Sequence, residues 1–233
     1  MKLMPEFRRP QHRIVARVLR ALNAKFLASA GCFFGGGTQL AMSLGEYRES
    51  RDIDFLCSNR AGFRTLREEV TDASLGAILR RPLVLAREVR ADRDGVRTFF
   101  VIGDARIKFE ILFESRIDLA GDVDRDLAVP VLSPEHAVAE KLLANADRGL
   151  DDSTLSRDLI DLAFATVHFG KPTLRAGLAI AEQAYGTAIC RHLGLTLEAF
   201  QKNRTRAAVC IKSLAVEDTA TLRKGLRILR TLL

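Results

Sequence analysis

Three carboxylates and a glycine turn are the residues of this chain whose types and spacing could do chemistry. Asp52 and Asp54 stand one residue apart in Arg51-Asp52-Ile53-Asp54-Phe55. Residues two apart on a strand share a face, so both carboxylates point one way while Ile53 and Phe55 point into a core. Aspartate is depleted in strands because its short side chain competes for backbone hydrogen bonds. Two parallel carboxylates also repel each other unless a cation lies between them. Magnesium takes oxygen ligands, usually one or two carboxylates with substrate phosphates, so a D-x-D strand suits Mg2+. In Ile107-Lys108-Phe109-Glu110-Ile111 the same alternation puts Lys108 and Glu110 on one face. Paired beside the D-x-D strand, Glu110 would complete a three-carboxylate site of the kind that holds two metals in phosphoryl transfer. Lys108, on the face of Glu110, is a candidate contact for a triphosphate.

Upstream lies Gly35-Gly36-Gly37-Thr38. Glycine lets a backbone turn sharply and approach a ligand closely. The helix that follows, with Thr38 as its expected N-cap, would offer N-terminal N–H groups to a phosphate. Gly36, Gly37 and Thr38 are therefore the expected phosphate cradle. No G-K-[ST] follows, so this is not a Walker A loop. Taken singly, the triplet is an ordinary strand-to-helix turn and D-x-D an ordinary solvated edge strand. Their order, with a later Glu-bearing strand, carries the signal.

The elements that must position these groups follow from periodicity. Ile14, Val15, Val18, Leu19 and Leu22 recur at helical spacing, which predicts an amphipathic helix over residues 7–29. A strand ends at the glycine triplet, a short helix covers 38–47, a strand covers 51–57, and a helix covers 62–79 before Pro82. From Leu83 to Phe113 the period becomes two, with turn-formers at Asp94-Gly95 and Gly103-Asp104, which predicts a meander. After Pro134 the pattern is helical: 134–147, 156–169, 174–192, and a tail from Leu197 in two or three pieces. The loop of residues 145–158 is polar and expected to be mobile. The fold class is α/β (α+β), with an α/β domain over residues 1–131 and a helical domain over 132–233.

The chain has 233 residues and a formal net charge of +7. A basic balance attracts polyanions, which fits a nucleotide or nucleic-acid partner and equally a basic protein without one. With no Trp, a stacking platform for single-stranded RNA is not evident. No apolar run approaches the roughly 20 residues of a membrane helix, so no membrane association is expected. No secretory signal is expected from the N-terminus. Cys32, Cys57, Cys190 and Cys210 are scattered and read as reduced buried thiols. Together these give a cytoplasmic expectation. His12, His136, His168 and His192 are dispersed and suggest no metal site.

On Gly36-Gly37-Thr38 with Leu40, Arg51-Asp52-Ile53-Asp54-Phe55, Ile107 to Ile111, Ser133-Pro134-Glu135 through Glu140-Lys141-Leu142, and Ser156-Arg157-Asp158-Leu159-Ile160-Asp161-Leu162, the sequence resembles the AbiEii/AbiGii toxins. These are nucleotidyltransferases of type IV toxin–antitoxin systems within the DNA polymerase β-like superfamily. The resemblance covers roughly Phe34 to Phe169. It implies a polymerase β-like domain with a mixed sheet followed by a helical domain. It also implies transfer of NMP from an NTP, with Mg2+ (a two-metal site) held by Asp52, Asp54 and Glu110. Glu110 stands where the family often has Asp. Lys141 matches a helix lysine expected to hold the triphosphate. Arg157, Asp158 and Asp161 fall in the block similar to R-x-K-D-x-x-D-L, and Arg51 in the first block. Asp158 would orient or deprotonate the acceptor, or position Lys141 or the base.

Helical spacing puts Asp158 and Asp161 on one face, and the competing reading is a solvent-exposed Arg157–Asp161 pair. The expected acceptor is RNA, with the tRNA 3′ end first, a protein hydroxyl second and a small molecule third, as in aminoglycoside nucleotidyltransferases. A cognate antitoxin is an implied partner. A catalytically silent nucleotide- or RNA-binding protein and a purely structural α/β protein are the alternatives.

Overall fold

A computed structural model describes residues 7–233. The chain forms two compact units. One comprises the residues up to Gln39 with Arg51–Ser133, and the other Leu40–Ser50 with Pro134–Leu233. The division falls within a single short helix.

The first unit is a mixed sheet with helices. Its elements are α1 (Pro10–Leu19), α2 (Ala24–Ser29), β1 (Cys32–Gly35), α3 (Gly36–Ser43, shared with the other unit), β2 (Ile53–Cys57) and α4 (Arg60–Glu68). There follow β3 (Val84–Leu85), β4 (Arg90–Ala91), β5 (Gly95–Ile102), β6 (Ala105–Phe113), β7 (Gly121–Val123) and β8 (Pro130–Leu132). The strands lie in the order β3-β5-β6-β2-β1-β8-β7, with β4 also on β5. The β2–β6 and β1–β8 pairs are parallel and the rest antiparallel.

Alternation sets the core. Ile53 and Phe55 of β2 and Ile107, Phe109 and Ile111 of β6 are fully buried. The rings of Phe34 and Phe55 (5.5 Å), Phe55 and Phe109 (6.1 Å), and Phe109 and Phe100 (5.2 Å) form a chain across the strands. Asp54 and Glu110, one residue out of phase, are left half-buried.

Several expected elements differ. The helix expected over 7–29 is broken at residues 20–23, where Asn23 caps α2 by accepting from Phe26 N–H and Leu22 bridges to Leu79. The helix expected over 62–79 stops at Glu68, since Val70-Thr71 and Asp72 to Ser74 favour turn over helix, and only a 3-10 turn follows at Gly76–Ile78. The short helix opens at Gly36 rather than after Thr38, because Gly36 at φ 72° makes the reversal itself. Thr38 therefore lies inside the first turn and is buried. The first meander strand is split into β3 and β4. The strands β7 and β8 were not foreseen, being three residues each, with Pro130 at the one strand position proline tolerates well.

The second unit is helical: α5 (Pro134–Arg148), α6 (Arg157–Tyr185), α7 (Ala188–Lys202), α8 (Arg204–Ser213) and α9 (Thr219–Arg230), with the Leu40–Ser50 segment. α6 is two helical segments joined across a kink at Gly170 (φ 84°, ψ 171°), just before Pro172, within the gap expected between 169 and 174. α9 lies so close to α6 that a Cβ on Gly225 would meet Ala163 O at 2.0 Å. Within the loop expected over residues 145–158, α5 runs to Arg148, a 3-10 turn covers Asp152–Thr154, and Asp151 accepts from Ser153 N–H.

Candidate active site

In the first unit the strand registers bring the glycine turn and the acidic residues together. β1 and β2 pair with Gly35 opposite Asp54. β2 and β6 run parallel with Asp54 opposite Glu110. A Cβ on Gly36 would stand 3.0 Å from Asp54 Oδ2, so only glycine lets the turn pass this carboxylate while holding a positive φ. Asp52 precedes β2, half-buried, and Arg51 is exposed beside it.

Glu110 is 14% exposed and engaged on its own face. Its Oε2 lies 2.6 Å from Lys108 Nζ, and its Oε1 lies 3.6 Å from Arg97 Nε. Arg97 is its cross-strand partner on β5 and also reaches Asp92 at 2.9 Å. Among the described residues no group of three His, Cys, Asp or Glu side chains is arranged to hold a metal ion. Asp52 and Asp54 are hard oxygen donors of the type Mg2+ takes. Asp54 stands beside a backbone stripped of its Cβ at Gly36, which is the room such a ligand needs. Glu110 would bring both of its oxygens to the two aspartates only by giving up Lys108, which holds Oε2.

In the second unit the structure gathers the other predicted residues, with partners the sequence reading did not name. Lys141 on α5 places Nζ 2.8 Å from Asp158 Oδ1 and 2.8 Å from Asp161 Oδ2, both on α6. Arg148, two turns along α5, grips Asp158 at 2.8 and 3.1 Å. Arg48 grips Asp161 through Nε at 2.6 Å and Nη2 at 2.9 Å. Tyr47 OH donates to Asp161 Oδ1 at 2.8 Å, and its ring stacks on Phe164 at 4.1 Å. All these side chains are buried except Arg148, which is 40% exposed. The shared face of Asp158 and Asp161 is thus a buried one. Asp161 pairs with Arg48 and Lys141, not with the half-buried Arg157 on its own helix.

The electrostatics follow from burial against charge. Burial alone would raise the Asp158 carboxyl, but Lys141 and Arg148 outweigh it and hold it well below the usual carboxylate range. Asp161 is likewise pushed up by burial and pulled down further by Arg48 and Lys141. Burial would lower Lys141, yet Asp158 and Asp161 raise it above its ordinary value. Burial and Asp161 push Tyr47 well up. Every member is therefore locked in one protonation state near neutrality, which makes Asp158 a poor base and a good anchor.

Arg48, Tyr47 and Arg148 escaped the sequence reading. Arg148 stands seven residues after Lys141, on the same helix face, and that spacing could have found it. Nothing local marks Tyr47 or Arg48.

The model of the family described as "Nucleotidyl transferase AbiEii toxin, Type IV TA system" matches residues 17–228. Among solved structures, a Helicobacter pylori protein described as a candidate nucleotidyltransferase is 19% identical. It has a TM-score of 0.54 and covers 95% of this chain and 92% of its own. JHP933 from the same organism is 19% identical with a TM-score of 0.53, covering 96% and 92%. At that identity the likeness is one of fold. No curated protein matches the chain.

Proposed function

The chain belongs to the AbiEii family of nucleotidyltransferase toxins of type IV toxin–antitoxin systems, and from that premise we propose that it moves NMP from an NTP onto an RNA hydroxyl. The tRNA 3′ end is the first acceptor to test. The observation that carries this reading is the register of Gly35, Asp54 and Glu110 on adjacent strands, with Gly36 pressed against the Asp54 carboxylate. The net charge of +7 supports a polyanionic acceptor.

Asp52 and Asp54, with Glu110, would hold Mg2+. When bound, the ion supplies charge neutralisation at the phosphates and at the attacking oxygen. The N–H groups at Gly36, Gly37 and Thr38 would receive the triphosphate oxygens at the start of α3. Lys108 and Arg51 would add cationic contacts. An acceptor hydroxyl attacks the α-phosphorus, its O–P bond forms as the bond to the β-phosphate oxygen breaks, pyrophosphate leaves, and the hydroxyl proton passes to water. Lys141, by the family resemblance, is the cation assigned to charge building on the pyrophosphate, with the half-exposed Arg148 as its neighbour on Asp158. Asp158 would hold both cations in place rather than take the acceptor's proton, since its carboxyl is held so far below neutrality. Asp161 would fix Lys141 from the other side, and Arg157 would contact the nucleotide. A cognate antitoxin is the proposed regulatory partner. Among the described residues no helix is long and apolar enough to cross a membrane.

The test is transfer of label from each α-labelled NTP, with Mg2+, onto total cellular RNA and onto the protein itself, beside an Asp52→Ala/Asp54→Ala variant. A labelled tRNA-sized band that vanishes in the variant is the expected result. Label on protein alone would move the acceptor to a side chain. No transfer to any acceptor, with no NTP-induced rise in Tm, would overturn the reading.

A further inference from the structure

From Phe7 to Gly45 the chain contains no Asp or Glu, and from Leu75 to Arg87 again none. These two acid-free stretches meet in the first unit. α1 buries Val15, Val18 and Leu19 completely and exposes Arg13 and Arg17, with Arg20 at its C-cap also exposed. The second stretch is tied to the end of α1 by backbone. Leu22 bridges to Leu79, and Arg80 N–H and Arg81 N–H both donate to Ala21 O, at 2.8 and 3.2 Å. Arg80 Nη2 reaches Arg20 O at 3.3 Å, and Asn23 Nδ2 donates to Ala77 O at 3.0 Å. Arg80 and Arg81 are exposed. Five exposed arginines are thereby carried on α1 and on the loop tied to its C-terminal end, and none of them pairs with a carboxylate among the described residues.

Part of this has a local explanation: Arg17 and Arg20 complement the negative end of the α1 dipole. That does not explain Arg80 and Arg81, which come from a loop and add like charge at the same place. A carboxylate, Glu69, does reach this stretch, its Oε2 accepting from Ala77 N–H at 3.1 Å, but five arginines outnumber it, and like charges in excess destabilise the free protein and are offset by an anion. All five are arginine, the cation whose planar fork matches phosphate bidentately.

We propose that Arg13, Arg17, Arg20, Arg80 and Arg81 form a surface that binds the phosphate backbone of a base-paired RNA stem. This rests on the reading of RNA as acceptor. A stem is favoured over a single strand because the cluster includes no aromatic side chain on which unpaired bases could stack, whereas helical RNA is recognised by shape and backbone contacts. A membrane surface is disfavoured because the apolar face of α1 is spent on the core. An interfacial helix needs that face free. From Arg13 to Arg20 the helix rises roughly 10 Å, a span that can touch successive phosphates of one strand.

The probe is a fluorescent RNA hairpin, followed by anisotropy at several salt concentrations, with full-length protein. In an Arg13→Ser/Arg17→Ser/Arg80→Ser/Arg81→Ser variant the affinity is expected to fall at least tenfold at low salt. The slope of log K against log salt is expected to fall by roughly 3.6, at about 0.9 for each of four lost phosphate contacts. Tm is expected to stay level or rise as like charge is removed, its NTP-induced rise is expected to be unchanged, and the same positions replaced by Lys should recover most of the slope. Unchanged affinity and slope would overturn the proposal, as would a variant that loses binding to anionic vesicles but not to the hairpin. Asp52→Ala/Asp54→Ala is expected to bind the hairpin as the parent does. RNA that is labelled equally well by the arginine variant removes this surface and leaves the acceptor reading standing. Protein-only labelling beside an intact arginine-dependent affinity does the reverse.

Discussion

Arg48 and Asp161 lie 113 residues apart in sequence and form a two-pronged ion pair, Nε to Oδ1 at 2.6 Å and Nη2 to Oδ2 at 2.9 Å, with both side chains buried. Asp161 also carries Lys141 and the Tyr47 hydroxyl. A buried pair gains little over an apolar replacement, but removing one member strands the other at a cost of about 3–5 kcal/mol. Asp161→Ala strands the buried Arg48 and leaves Lys141 with Asp158 alone, and is expected to lose about that much in urea unfolding at neutral pH. Arg48→Ala leaves Asp161 with Lys141 and Tyr47 and should lose less. A loss of under about 1 kcal/mol for Asp161→Ala would show that the network contributes little to folding.

The same carboxylates set a pH dependence. The folded-state pKa values of Asp158 and Asp161 are depressed, so between folded and unfolded values the unfolded chain binds more protons and stability rises with pH. Their contribution is complete above the ordinary carboxylate range, about pH 4, and is lost as pH falls through the lower folded values. Lys141 is raised, so its contribution is complete below about pH 10.4 and is lost only as pH rises beyond that. Stability should hold a plateau between those limits and fall on the acid side. In Asp161→Asn, urea unfolding between pH 5 and 3 is expected to show an acid slope shallower by up to about 1.4 kcal/mol per pH unit. An identical slope in parent and variant would contradict the assignment.

Much of the first unit's site could be read from sequence because it depends on local alternation. Ile53, Asp54 and Phe55, and Phe109 and Glu110, declare their faces two residues at a time, and the parallel register of Asp54 with Glu110 only had to place one declared face beside another. The helix face of Asp158 and Asp161 was legible for the same reason. What they touch was not. Arg48 sits among Gly45, Glu46, Tyr47 and Glu49 with no period to interpret, and its partner is more than a hundred residues away. Short strands such as β7 and β8 carry too few residues to establish a period, and the breaks at residues 20–23 and 69–75 come from single caps and turns. Local pattern fixes which way a side chain faces, whereas charge pairing across the fold is set by packing that no window of sequence contains.

Gly36 offers a prediction that separates stability from chemistry. Alanine there meets the left-handed backbone at φ 72° and places a Cβ 3.0 Å from Asp54 Oδ2. The backbone penalty is roughly 1–2 kcal/mol. A carboxylate displaced by a fraction of an ångström is expected to lower NMP transfer on the order of 100-fold. Gly103→Ala is the control: it has a similar φ of 62° with nothing within 4 Å. It should carry a comparable drop in Tm and transfer normally. Equal activity loss in both variants would show that strain alone, not the Asp54 contact, is responsible.

Lys108 and Glu110 define the last test, because one contact bears on two proposed roles. The 2.6 Å pair between them engages Glu110 Oε2, so Lys108 competes with a metal ion for that oxygen. Lys108→Met removes that competitor, so Mg2+ titrated calorimetrically without nucleotide is expected to bind more tightly to the variant. Glu110→Gln should weaken the same binding, having lost a charged oxygen donor. If Lys108 also contacts the triphosphate, the KM for NTP should rise in Lys108→Met while Mg2+ affinity improves, a divergence that general damage to the site would not produce. Weaker Mg2+ binding in Lys108→Met would instead mean that the lysine holds Glu110 in its working position, and that the metal is carried by Asp52 and Asp54 without it.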